Sequence, residues 1–190
     1  VKNVVIIGDS GAGKSESLEA LRAYAGDNIS SQVTVFDDMG TLKMVNGEVY
    51  AYGTEIGAFV RLDDMASGYA YKEMDRAIFM NPDKINSRLV VPVATYKQIM
   101  KGYKVDMVLY ANNYENSDEQ LKLFDNKDDA LKTFIRGARN AKGTTQEIGL
   151  VESFFANPFG PVQKEEKTRV LLDKYFSKLF EEGILVGELY

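Results

Sequence analysis

Val4-Val5-Ile6-Ile7 is an apolar, β-branched run without alternation, the pattern of a strand covered on both faces in a parallel sheet. It stops at Gly8 and a loop follows. Ser15 to Ala25 then reads as a helix, because Leu18, Leu21 and Tyr24 fall three apart on one face. Gly26 is placed to end it. Gln32 to Phe36 is a second strand candidate, closed by Asp37-Asp38. Leu42 to Val45 and Glu48 to Tyr52 flank Asn46-Gly47, the strongest short signal for a hairpin. Glu55 to Leu62 reads as extended, and Tyr69 to Phe79 fits helix or strand. Leu89 to Val93 and Val105 to Tyr110 are again strand-like. Asn112 to Asp129 is rich in Asn, Asp and Glu and reads as a surface loop. Asp128 to Ala141 and Gln163 to Phe180 have helical periodicity, and Ser153 to Pro161, with its prolines, is a loop between them. Helices mixed with hairpin strands and buried-type strands predict an α/β fold with a mixed sheet.

Composition narrows the chemistry. The chain has 190 residues, the length of one domain, and is 45% hydrophobic and 27% charged, as in an ordinary globular protein. Cysteine is absent, which excludes disulfides, thiolate nucleophiles and zinc fingers within this sequence. Histidine is also absent, which excludes imidazole bases and Ser-His-Asp catalysis within it. Chemistry here must rest on carboxylates, Lys, Arg, hydroxyls, backbone amides and an imported metal or cofactor. The net charge of −5 gives no basic footprint for nucleic acid. No apolar run approaches the roughly 20 residues that span a bilayer. A cytoplasmic protein with neither nucleic-acid nor membrane partners is expected.

One motif gives this chemistry a direction. Gly8-Asp9-Ser10-Gly11-Ala12-Gly13-Lys14-Ser15 fits G-x-x-x-x-G-K-[ST], the Walker A pattern. Its glycines let the backbone turn its N–H groups toward phosphate oxygens. Lys14 brings a point charge to the β and γ phosphates, and Ser15 offers its hydroxyl to Mg²⁺. The following helix adds its N-terminal partial charge. The bland alternative is a glycine-rich turn that binds nothing. The flanking strand and helix argue against that, since they supply the context the motif requires.

Phosphate loops work with a carboxylate that holds the metal, directly or through water. Asp37-Asp38, about twenty residues on, suits that role, and Asp38 is the expected metal ligand beside Ser15. The competing reading is a plain turn at Asp37-Asp38-Met39-Gly40. Without histidine, a general base must be a carboxylate. Asp37 and Asp38 are candidates, and Glu55 is a third, more simply explained by a structural hydrogen bond to a neighbouring loop. Arg61 and Arg88 could add positive charge on a transferring phosphoryl group together with Lys14. The alternative for both is a solvated or paired surface Arg. Glu16, in the first turn of the helix, is also explained by a favourable interaction with the helix dipole alone. Tyr50, Tyr52, Tyr69 and Tyr71 alternate as sheet-packing residues do.

Gly8 to Glu16, reading GDSGAGKSE, closely resembles the phosphate loop of HPr kinase/phosphorylase. That family shares its nucleotide-binding core with phosphoenolpyruvate carboxykinase, and both follow the loop with an Asp-Asp pair. Glu55 to Arg61 is similar to the E-x-G-x-x-x-K segment of the ATP-dependent carboxykinase, with Arg61 in place of Lys. Asn86-Ser87-Arg88 through Pro92 resembles its N-T-R-x-x-x-P segment, whose Arg contacts the transferred phosphate. Gly143-Thr144-Thr145 and Phe154 to Gly160 loosely resemble the segments near its adenine site. After Gly143-Thr144 the family has an Arg where this chain reads Thr145-Gln146-Glu147. The carboxykinase also carries a substrate domain ahead of its phosphate loop, with a metal-binding His and an accompanying Lys.

The resemblance implies a P-loop carboxykinase/HPr kinase-like core, a mixed sheet flanked by helices, spanning 1–190 as a single nucleotide-binding domain. It implies a fragment or a stand-alone core lacking the substrate domain. The implied activity is ATP-dependent phosphoryl transfer, with ATP or GTP and Mg²⁺ or Mn²⁺ as cofactors. The acceptor, a small molecule or a protein, would be held by an upstream domain or a partner. The implied site is Gly8 to Glu16 for the nucleotide, Ser15 and Asp38 for the metal, and Lys14, Asp37, Asp38, Arg61 and Arg88 for catalysis. A nucleotide-binding regulatory module without turnover is the alternative of a different class, and an HPr kinase-like protein kinase is another. An ordinary P-loop NTPase is the third, disfavoured by a hairpin where strands and helices would alternate.

Overall fold

The computed structural model of the chain describes residues 1–24, 26–61, 78–80, 88–142, 147–157 and 160–190. In chain order the elements are β1 (Val4–Ile7), α1 (Lys14–Tyr24), β2 (Gly40–Val45), β3 (Glu48–Gly53), β4 (Gly57–Arg61), β5 (Ile78–Met80) and β6 (Arg88–Pro92). Then follow α2 (Tyr96–Lys101), β7 (Tyr103–Lys104), β8 (Met107–Ala111), β9 (Leu121–Leu123), α3 (Lys127–Arg136), β10 (Ala138–Lys142) and β11 (Ile148–Glu152). The chain closes with α4 (Gly160–Gln163), α5 (Glu165–Glu181) and β12 (Leu185–Leu189). The described residues fall into two compact units. The first comprises Val1–Lys14, Val45–Val49 and Lys104–Tyr190, and the second Ser15–Met44 and Tyr50–Tyr103.

The first unit is built on a four-stranded sheet in the order β1-β8-β12-β9. β1 and β12 both pair with β8 in parallel, and β9 joins β12 antiparallel. The sheet is therefore mixed and the class α/β, as the patterning predicts. β1 matches the predicted strand, but it forms the sheet edge and Val4 is exposed, so the run is not covered on both faces. Behind β8, Tyr110 meets Phe134 of α3 edge-on at 5.3 Å, and Phe134 meets Phe176 of α5 at 5.0 Å. These fully or nearly buried rings, with Leu172 and Leu179, make the helix-on-sheet core. β10 and β11 form a separate antiparallel pair.

In the second unit, β4, β6 and β5 make an antiparallel sheet in the order β4-β6-β5. The β2–β3 hairpin turns on Asn46 and Gly47, both at positive φ (50° and 84°). That is the backbone a two-residue hairpin of matching twist requires. β3 alternates, with Val49, Ala51 and Gly53 buried and the intervening positions half-buried, including Tyr50 and Tyr52. α2 carries a complete capping box, Thr95 and Gln98 exchanging side-chain and backbone hydrogen bonds.

Several expectations need correction. Gln32 to Phe36 forms no strand. It has no ladder partner among the described residues, Val33 is exposed, and the Gln32 amide instead donates to the Leu18 carbonyl at 3.0 Å. The loop predicted over Asn112 to Asp129 contains β9 and the start of α3. The helix predicted over Asp128 to Ala141 stops at Arg136, because Gly137 takes the left-handed conformation (φ 56°, ψ 40°), and the chain continues as β10. The helix predicted from Gln163 begins at Glu165, behind the short α4. β11 and β12 are strands that the patterning did not anticipate. Most of Tyr69 to Phe79, with Tyr69, Tyr71 and Leu62, lies outside the described residues. No described helix is long and apolar enough to cross a membrane.

Candidate functional site

The Gly8–Lys14 loop belongs to the first unit and links β1 to α1. Gly8 sits in a crowded place: a Cβ there would lie 3.0 Å from that of Ala12 and 3.1 Å from that of Ala111, so a larger residue would require those neighbours to give by a few tenths of an ångström. Gly11 and Gly13 are forced by conformation, with φ of 77° and 98°. Nothing lies within 4 Å of where a Gly13 Cβ would be, so the loop is open there. Ala12 N donates to the Asp9 carbonyl at 3.1 Å, and Lys14 Nζ folds back to the same carbonyl at 3.1 Å. Ala12 is buried and Ser10 half-buried. Glu16 is exposed in the first turn of α1.

Two side chains from outside the motif hold this loop. Asn113, just beyond β8, donates from Nδ2 to the Gly11 carbonyl (2.9 Å) and to the Asn140 carbonyl (3.1 Å), and its Oδ1 accepts from Asn140 N (2.8 Å). It thus fastens the loop to β10. Arg139 on β10 is 3% exposed, and its Nε lies 3.0 Å from Asp9 Oδ2. That contact is a buried ion pair. Its Nη2 donates to Glu147. Burial opposes the charge on Arg139, and the carboxylates of Asp9 and Glu147 more than offset it, so its pKa is raised. Tyr110 donates its hydroxyl to the Ala138 carbonyl at 2.6 Å, which fixes β10 beside Arg139. Burial pushes the Tyr110 phenol up, so it remains a donor.

In the second unit, Ser15 Oγ donates to Asp37 Oδ1 at 3.1 Å. Asp37 is buried and Asp38 exposed, so it is the first Asp of the pair that Ser15 engages. Glu55 accepts from Met39 N at 3.1 Å, the structural hydrogen bond expected of it. Its own burial, with the charges of Asp38 and Asp37, raises its pKa, while the backbone amides of Met39 and Asp38 work the other way. Arg61 and Arg88 are direct cross-strand partners in the β4–β6 ladder. Sequence positions 27 apart are thus brought opposite each other. Asn86-Ser87, Gly143-Thr144-Thr145 and Pro158-Phe159 lie outside the described residues.

Ser15 and Asp37 are hard oxygen donors close to each other, a pair suited to Mg²⁺. Among the described residues no group of three or more carboxylates could hold a metal ion alone. Phosphate oxygens and water would have to complete the shell, as is usual for Mg²⁺ at nucleotides. Asn113, Arg139 and Glu147 were not marked by the motif, because they reach the loop through tertiary pairing. The readable signal was Arg136-Gly137, a basic last turn followed by glycine, which ends a helix and puts Arg139 on a strand. No protein-family model matches the chain, and no curated protein matches it.

Proposed function

We propose that the chain is a Mg-ATP-binding phosphotransferase domain of the carboxykinase/HPr kinase type. The observation that carries this reading is the loop itself. Gly8–Lys14 joins a strand to a helix, with Gly11 and Gly13 at positive φ and the space over Gly13 open. The loop amides and Lys14 bind the phosphates. Ser15 and Asp37 hold Mg²⁺, which neutralises charge on the β and γ phosphates. Asp38, next to Asp37 in the chain, is the carboxylate we assign as general base toward an acceptor hydroxyl. Arg88 and Arg61, paired across their ladder, supply positive charge to the transferring group. The acceptor comes from another domain or a partner.

Titration calorimetry tests the reading. The parent chain is expected to bind Mg-ATP, and Lys14→Ala to bind it about tenfold or more weakly, through loss of a charge-assisted contact. No Mg-ATP binding by the parent, or equal binding by the variant, sinks the proposal. Tight binding without phosphoryl transfer to any acceptor, in the presence of the intact Asp37-Asp38 pair, would assign the chain to the regulatory class instead.

A further inference from the structure

Asp9 is the one acidic residue in Gly8–Ser15. It is 6% exposed, its Oδ1 accepts from Ser10 N at 2.6 Å, and its Oδ2 faces Arg139 Nε at 3.0 Å. A buried carboxylate in a loop that receives a polyphosphate is a like charge in the wrong place, and low local dielectric magnifies the repulsion. The guanidinium that answers it is also buried, so bulk water screens the pair little. Arg139 is fixed from both ends, by Glu147 at Nη2 and by the strand that Asn113 and Tyr110 hold. Its Nη1 has no hydrogen-bond partner among the described residues.

We infer that Arg139 is a positioning residue for phosphate binding: it neutralises Asp9, and so lets the Gly8–Lys14 loop accept a polyphosphate. The inference rests on the phosphate-binding reading of that loop. Arg139 acts through Asp9, without touching the ligand. The effect depends on ligand charge, so it is larger for tripolyphosphate than for pyrophosphate. It also depends on Asp9 being charged, so removing that charge cancels it.

The test is a double-mutant cycle on the full chain, with Mg-ATP, tripolyphosphate and pyrophosphate as titrants. Arg139→Met is expected to weaken tripolyphosphate binding about tenfold or more, and pyrophosphate less, because it strands a buried carboxylate. Arg139→Met combined with Asp9→Asn is expected to return within about threefold of the parent, since neither charge remains. A merely structural Arg would lose affinity for all three ligands alike, and Asp9→Asn would not restore it. Should Arg139→Met fail to fold, the double variant alone decides, because a neutral pair replaces a buried ion pair at little cost. A double variant as weak as the single, or a folded but non-binding double variant, means that Arg139 grips the phosphate directly and overturns the inference. Unchanged binding by Arg139→Met overturns it as well. If the parent binds none of the three titrants, the phosphate-binding reading fails and takes this inference with it. Binding by the parent without coupling in the cycle defeats the inference alone.

Discussion

Asp106 shows how single groups secure the start of the chain. Its Oδ2 accepts from Asn3 N at 2.7 Å, its Oδ1 from Lys2 Nζ at 3.2 Å, and its own amide donates to the Asn3 carbonyl at 2.9 Å. The Asn3 amide, followed by Lys2, holds the Asp106 carboxyl below its ordinary range despite some burial. A depressed carboxylate pKa means that the unfolded chain binds more protons across that window. Its contribution is therefore complete above the ordinary Asp range and is lost as pH falls through the lower folded value. Asp106→Asn is expected to lower the unfolding free energy at pH 7 by about 1 kcal/mol or less, since the group is partly exposed. Thermal melts of parent and variant should converge as pH falls through the lowered folded value of Asp106. A difference that grows toward acid would refute this account.

At the scale of elements, α3 is defined by its two ends. Asn126 caps it, accepting from Asp129 N at 2.9 Å, with Asp128 and Asp129 in the first turn and Arg136 in the last. Gly137 stops it, donating its amide to the Thr133 carbonyl at 3.1 Å. A Cβ on Gly137 would lie 1.8 Å from Ser153 O and 2.4 Å from Ala156 N, both backbone atoms. Gly137→Ala is thus expected to destabilise by about 3 kcal/mol or more, combining left-handed strain with a clash that no side chain can relieve. Urea titration measures it, and a loss under about 1 kcal/mol would show that the β10 junction yields easily. This junction also shows why part of the fold was hidden from the sequence. Phe134, Ala138 and Ala141 follow helical spacing and are all buried, although only the first is in a helix. Periodicity therefore ran on past the glycine. The Asn46-Gly47 hairpin was legible because its signal is local and conformational. β12 was not, because Gly187 and Glu188 interrupt its apolar run. Gly187 is there for close approach, as a Cβ would lie 2.5 Å from the Lys122 carbonyl. The candidate site divides in the same way. Gly8 to Ser15 was readable as a motif, whereas Arg139 and Asn113 join it only through strand placement.

For the whole molecule, the chain order of the sheet carries the consequence. β1 comes from residues 4–7 and its partner β8 from 107–111, in the register Val4↔Met107 to Ile7↔Tyr110. The first unit thus joins the start of the sequence to its last part, with all of the second unit lying between them in the chain. Such long-range parallel pairing forms no contact until a large loop has closed, and its strands have no local hairpin to hold them. A segment comprising 104–190 alone would keep β12, β9 and the Tyr110–Phe134–Phe176 ring stack, yet it would lose β1 and the loop that packs on Ala111. The backbone of β8 would then be an uncovered edge carrying Val108 and Tyr110. This segment is expected to unfold at lower urea concentration and with a smaller denaturant slope than the intact chain, or to aggregate. Circular dichroism is the suitable probe, since the sequence has no tryptophan. A segment that unfolds cooperatively with the midpoint of the parent would mean that β1 adds nothing to the sheet. In that case the Gly8–Lys14 loop would hang from a strand the fold does not need, and its geometry would require another source.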